Sequence, residues 1–176
     1  MTGNAIEDLG PLAGMPLEVL NLSHTEVRDL SPLRGMPLKE LFMDGRTKRT
    51  DLSPLAGLPL QRLSVAQNPQ IKEFSALRGL PLRQLIVQGA TGFSDARVLA
   101  GMPLRTLNLG ECPVGDFTPL LRILTLESLG VTASVEKLPP LRRHPGLKSI
   151  KNGANPILPA AQFWAEYDAQ QAAGKK

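Results

Sequence analysis

The 176-residue chain repeats itself every 21 or 22 residues, and no other feature restricts its folding so strongly. Asp8-Leu-Gly-Pro-Leu-Ala-Gly-Met-Pro-Leu17 returns as Asp29-Leu-Ser-Pro-Leu-Arg-Gly-Met-Pro-Leu38 and as Asp51-Leu-Ser-Pro-Leu-Ala-Gly-Leu-Pro-Leu60. Glu73–Leu82 and Asp95–Leu104 repeat it again, and a drifting sixth copy begins at Asp116 and reaches Leu126 with one extra residue. The leading acids stand 21, 22, 22, 22 and 21 residues apart. A period of this length describes one short unit stacked many times, each burying its apolar face against its neighbours.

Every segment runs into Leu-x-x-Leu-x-Leu or a close variant. The triplets are Leu17, Leu20, Leu22; Leu38, Leu41, Met43; Leu60, Leu63, Val65; Leu82, Leu85, Val87; Leu104, Leu107, Leu109; and Leu126, Leu129, Val131. Leu147 and Ile150 start a degenerate seventh, with Asn152 in the third place. The closing pair has period two, as a strand with one buried face requires. The Leu-Ser-Pro-Leu and Gly-Met-Pro-Leu pieces cannot be strands, because proline has no N–H for a ladder; they are turns and short helical returns.

Composition agrees with this division. Gly and Pro number 16 each, and 31 leucines stand beside 4% aromatic residues, so leucine fills the core while Gly and Pro mark the turns. No stretch approaches the ~18–20 apolar residues of a membrane helix, so no membrane contact is expected. One cysteine, Cys112, excludes a disulfide framework and fits a reducing cytosol as well as an exported chain without disulfides.

The pattern resembles the leucine-rich repeat family, L-x-x-L-x-L-x-x-N/C-x-L, in the short 21–22-residue variety of internalins and phosphatase regulators. The resemblance covers residues 6–153. It implies an α/β repeat solenoid, a right-handed superhelix with one curved parallel β-sheet on the concave side and Pro-rich 3₁₀ or extended turns on the convex side. The chain departs from the family at its Asn position, which reads Thr25, Arg46, Asn68, Ala90, Cys112 and Ser134. A mixed ladder is expected there, with local deviations at Arg46 and Ala90.

Residues 1–137 are thus read as about six repeats, the first truncated, and 138–176 as a degenerate last repeat with a C-terminal helical cap. The cap helix is expected after Pro159, with Gly174 past its end. It holds the only Trp and the only Tyr, and Phe163, Trp164 and Tyr167 form a wedge against the last repeat. The run Phe163-Trp-Ala-Glu-Tyr-Asp168 also resembles the C-termini of repeat segments in planctomycete-type serine/threonine kinases. That likeness implies an alternative in which these repeats recruit substrate for a kinase domain elsewhere in a longer protein. Because the chain opens in the last residues of a repeat with no amphipathic cap before it, a fragment, or self-association through an uncapped N-terminal edge, is a further expectation.

Catalytic patterns are not found. Neither a Gly-x-x-x-x-Gly-Lys-Ser/Thr loop nor a Gly-x-Gly-x-x-Gly turn occurs, and His24 and His144 lack companions at metal-ligand spacing. Ser23 and His24 read as neighbours on a strand, with side chains on opposite faces. Cys112 reads as a small buried thiol, and the acids Asp8, Asp29, Asp51, Glu73, Asp95 and Asp116 read as turn acceptors. The chain is therefore read as non-enzymatic, with no metal or cofactor; a purely structural spacer is the remaining alternative.

Function then falls to the concave face. One row across the repeats reads Asn21, Phe42, Ser64, Ile86, Asn108, Gly130; its neighbours hold Glu40, Arg62, Gln84, Thr106 on one side and Asp44, Ala66, Gln88 on the other. Phe42 and Ile86 are the apolar members, about 10 Å apart at the ~4.8 Å spacing of strands. Asn21, Phe42, Asp44, Arg62, Gln84, Ile86, Gln88, Thr106 and Asn108 are the candidate contacts for a protein or peptide partner. The net charge is +4, with Lys39, Arg83 and Arg105 in one column, a basic loop Arg46-Thr-Lys-Arg49 and Lys175-Lys176 at the end. Interrupting acids and missing aromatics speak against nucleic acid, and an anionic protein partner is expected instead.

Overall fold

The computed structural model describes residues 6–45, 48, 50–132 and 137–173. Each repeat closes one coil. The strands are β1 (Val19–Asn21), β2 (Glu40–Phe42), β3 (Arg62–Ser64), β4 (Gln84–Ile86), β5 (Thr106–Leu109), β6 (Ser128–Val131) and β7 (Ser149–Asn152), paired in parallel in sequence order. The register is constant: Leu20, Leu41, Leu63, Leu85, Leu107, Leu129 and Ile150 stand side by side across the sheet. A two-residue strand, β8 (Leu158–Pro159), then adds antiparallel to β7 and leads into α1 (Ala160–Ala173), the one α-helix among the described residues.

Three-residue 3₁₀ turns such as Ser31–Leu33, Ser53–Leu55 and Ser75–Leu77 return the chain on the opposite side. The acids anchor them as turn acceptors. Asp29 Oδ1 accepts from the Ser31 N–H and its Oδ2 from the Ser31 hydroxyl, both at 2.7 Å. Asp51 treats Ser53 alike, and Asp8, Asp95 and Asp116 each accept the N–H two residues on. Glu73 makes no such bond among the described residues; its extra methylene does not suit the two-residue turn. The Ser31 hydroxyl draws Asp29 below the usual carboxylate range, as the Ser53 N–H does for Asp51.

Leucine columns form the core. Leu38, Leu60, Leu82, Leu104 and Leu126 are fully buried, as are Leu33, Leu55, Leu77, Leu99 and Leu120. Shortening any of these to Ala would cost about 2–5 kcal/mol. Size alternates where aromatics enter: Phe74 and Phe117 flank the small Ala96 in one column, and Phe93 meets Phe74 edge-on at 5.0 Å.

The sixth coil shows where its extra residue goes. Buried side chains run Leu33, Met36, Leu38 in an ordinary coil but Leu120, Ile123, Leu126 here. The 3₁₀ turn continues from Thr118 to Arg122, and the added residue bulges at Leu124, which is 68% exposed. Leu129 still pairs with Leu107, so the strand register is untouched. In the seventh coil the same spacing puts His144 in the column of Met36, Leu58, Leu80, Met102 and Ile123. Gly146 N–H can only donate, so His144 Nδ1 accepts it at 3.1 Å; the proton therefore sits on Nε2 and is donated to Ile123 O at 3.0 Å.

The mixed ladder at the Asn position is present. Thr25 Oγ1 donates to Leu22 O at 2.8 Å, and Cys112 Sγ to Val87 O of the previous coil at 3.1 Å. Asn68 Nδ2 shares its hydrogens among Met43 O, Val65 O and Ala66 O at 2.8–3.1 Å. Ala90 has no donor to offer Val65 O, and Asn68 serves that carbonyl from its own coil. The turn at Ala90 does not deviate, since its N–H reaches Val87 O at 2.9 Å as Cys112 N–H reaches Leu109 O at 3.0 Å. Arg46 and Ser134 lie outside the described residues, as do Thr47, Arg49, Gly174, Lys175 and Lys176.

At the C-terminal end Phe163 and Trp164 are buried on the core, with Tyr167 half-buried beside them. Asp168 holds Arg142 through two bonds of 3.0 and 2.6 Å, and the Arg142 guanidinium lies 5.9 Å from the Trp164 ring centre.

Among the described glycines the tightest backbone approach lies at Gly92, where an added Cβ would come 2.2 Å from Ile71 O. At Gly57, with φ +75°, an added Cβ meets nothing within 4 Å. Gly92→Ala is thus expected to lose about 1–3 kcal/mol through overlap and Gly57→Ala about 1 kcal/mol through φ alone. Urea denaturation followed by circular dichroism checks the order; equal midpoints for Gly92→Ala and the parent would disprove the close approach.

Candidate protein-interaction surface

Strand register brings the candidate residues together in rows. Asn21, Phe42, Ser64, Ile86 and Asn108 are successive partners across β1–β5, continued by Gly130 and Lys151. Glu40, Arg62, Gln84 and Thr106 form the adjoining row. Asp44 and Gln88 follow β2 and β4 by two residues.

These side chains are bonded to one another along the sheet. Arg62 donates to Glu40 on β2 and to Gln84 on β4, both at 3.1 Å, and its guanidinium lies 5.6 Å from the Phe42 ring centre. Phe42 is therefore half-covered rather than a bare apolar knob, and Ile86 is half-buried likewise. Asp44 accepts from the Ser64 hydroxyl and, at 2.8 Å, from the Ala66 N–H. Asn21 Oδ1 accepts the Ser23 N–H at 2.9 Å, and Ser23 Oγ accepts the Asp44 N–H at 3.1 Å. Farther along, Asn108 donates to Gln88, and Gln88 to Glu111, each at 3.2 Å.

Two features were not singled out in the sequence. Gly110 and Gly130 leave a hollow of about 360 Å³ on this face, bordered by Asn108, Glu111, Thr132 and Lys151. The signal was present as glycines in two strand columns. Lys151 enters the central row only through the register of the degenerate seventh coil.

Ser23 and His24 require correction. β1 ends at Asn21, so both lie in the following turn, and His24 is left-handed with φ 58°. The turn needs a left-handed residue there, and Gly45, Gln67, Gly89 and Glu111 occupy the same place in later coils. His24 is exposed and its ring lies over Gly45, where a Cβ would meet Nδ1 at 2.6 Å. In the basic loop, Lys48 pairs with Glu26 at 3.3 Å.

Solved structures share this fold. An internalin (inlF) from Listeria monocytogenes superposes with a TM-score of 0.60 at 20% identity over 86% of this chain. Internalin C2 (inlC2) of the same organism superposes with a TM-score of 0.63 at 26% identity over 75% of it. The fold is a leucine-rich-repeat solenoid. This leucine-rich-repeat chain spans 54% and 60% of those two structures. No protein-family model matches the sequence, and no curated protein matches it either.

Inside the solenoid, Cys112 is buried and burial pushes its thiol up from 9.0 to about 12. In the unfolded chain the thiol loses its proton first, so stability from this residue is full below pH 9.0 and falls as the pH rises toward about 12. At pH 8 the native chain is expected to resist iodoacetamide and react only after denaturant is added. Rapid alkylation of the native chain in a mass-spectrometric time course would contradict the burial.

Proposed function

We propose that this leucine-rich-repeat chain is a non-enzymatic interaction module that docks a protein or peptide partner on its concave sheet. The observation that carries this reading is the bonded state of the face. Glu40, Arg62 and Gln84, and separately Gln88, Asn108 and Glu111, are linked across strands while still reaching solvent. Side chains fixed before contact lose less conformational entropy on binding, at about 0.5–1.5 kcal/mol for each mobile side chain that would otherwise be ordered. Half-exposed Phe42 and Ile86, with Ser64 between them, supply apolar area within that polar field. The candidate contacts remain Asn21, Phe42, Asp44, Arg62, Gln84, Ile86, Gln88, Thr106 and Asn108.

The partner is obtained by capture from native lysate, and its affinity is then measured by calorimetry. Phe42→Ala with Ile86→Ala is expected to weaken binding about tenfold or more while the thermal midpoint moves by only about 2 °C. Unchanged affinity in this double variant, with loss on Arg122→Glu on the convex side, would move the site away from the sheet.

A further inference from the structure

We propose that the partner of the concave face is acidic where it meets β4 and β5, its Asp or Glu carboxylates held by Arg83 and Arg105. This rests on the docking reading above and names the chemistry of the partner. The two arginines occupy one backbone position of successive coils, in the row Glu18, Lys39, Gln61, Arg83, Arg105, Glu127 and Lys148. Each N–H of that row, from Lys39 onward, donates to the carbonyl of the member before it at 2.7–2.9 Å. Arg83 and Arg105 therefore leave the backbone one strand spacing apart, about 4.8 Å, close enough to share one carboxylate or hold two neighbouring ones.

The row carries four cations against two carboxylates, and its surplus falls on these two residues. Lys39 is paired with Glu18 at 2.6 Å. Glu127 lies 3.0 Å from Lys148 and farther, 3.8 Å, from Arg105, so Lys148 is its main partner. Arg83 has no ion-pair partner among the described residues. In the adjoining row, Glu40 is engaged by Arg62 and does not compensate them. Convex arginines stand in different surroundings, since Arg34 lies near Asp29 and Asp51 and Arg78 near Asp95, helping to hold those carboxyls down.

The surrounding surface selects among anions. Arg83 and Arg105 stand just ahead of β4 and β5, bordered by Gln84 and Thr106 at the starts of those strands, and Ile86 lies at the far end of β4. A polypeptide with an acidic residue beside an aliphatic one matches that arrangement. A continuous polyanion does not, because Glu40, Asp44 and Glu111 line the same sheet. Bases would also find no open aromatic platform there, with Phe42 under the Arg62 guanidinium.

The test uses fluorescein-labelled peptides of repeating Glu-Ser-Leu, the same peptides with Gln for Glu, and a thymidine oligonucleotide, all read by anisotropy. The Glu peptide is expected to bind the parent about tenfold tighter than the Gln peptide, and the preference to shrink as salt rises from about 0.02 to about 0.3 M. Arg83→Gln with Arg105→Gln should abolish the preference, and convex Arg34→Gln with Arg122→Gln should keep it, both with native circular dichroism. Persistence of the preference in the Arg83/Arg105 variant overturns the proposal. Equal binding of Glu and Gln peptides, lost in Ile86→Ala, overturns it while leaving the docking face standing. Tighter binding of the oligonucleotide than of the Glu peptide overturns it in favour of nucleic acid. Binding of neither peptide overturns it too, and the Phe42 and Ile86 measurement then decides the docking face separately.

Discussion

One carbonyl ahead of each strand sets the stacking of the coils. Glu18 O accepts the N–H groups of both Lys39 and Glu40, and Lys39 O those of Gln61 and Arg62. Gln61 O, Arg83 O, Arg105 O and Glu127 O continue the pattern. Each forked bond fixes the start of one strand against the last, so a leucine in one coil meets the equivalent leucine in the next. The buried columns and the exposed rows are two readings of that same register. Were it to slip by one residue, the core leucines and the polar row would exchange faces. Because these contacts join only neighbours, stability accumulates coil by coil rather than through one central nucleus.

Much of this architecture is legible in the amino-acid sequence. The Leu-x-x-Leu-x-Leu triplets marked the strands, and Pro at fixed offsets marked the returns. Asp before Leu-Ser-Pro announced the turn acceptor that Asp29 and Asp51 became. What the sequence hid depends on distances between coils. Nothing local marks His144 as a core residue, because its place follows from where Leu141 and Leu147 fall in a coil with a lengthened turn. His24, Gln67 and Glu111 stand at left-handed positions without the glycine that usually signals them. The strand β8 is two residues long and ends in proline, so it has no periodicity to read.

For the surface the division is similar. Row membership followed from counting, but the bonds within rows did not. That Arg62 lies over Phe42 and spans to both Glu40 and Gln84 depends on side-chain reach across three strands. The same reach leaves Arg83 uncompensated, because Arg62 takes up Glu40, the acid of the adjoining row. Charge counted along the chain gave the sign of the protein; charge counted across the strands gives the place where that sign is concentrated.

The bulge at Leu124 separates the two sides of the molecule in what they tolerate. An added residue on the return path is absorbed within one turn and leaves Leu107 and Leu129 opposed. The same addition inside Leu126–Val131 would invert every side chain after it. Lengths on the outer rim are therefore free to drift, while the spacing within each strand is held fixed. Repeat number can change by whole coils without disturbing the rows already built, so a surface of this kind can lengthen to suit a longer partner and keep its existing contacts.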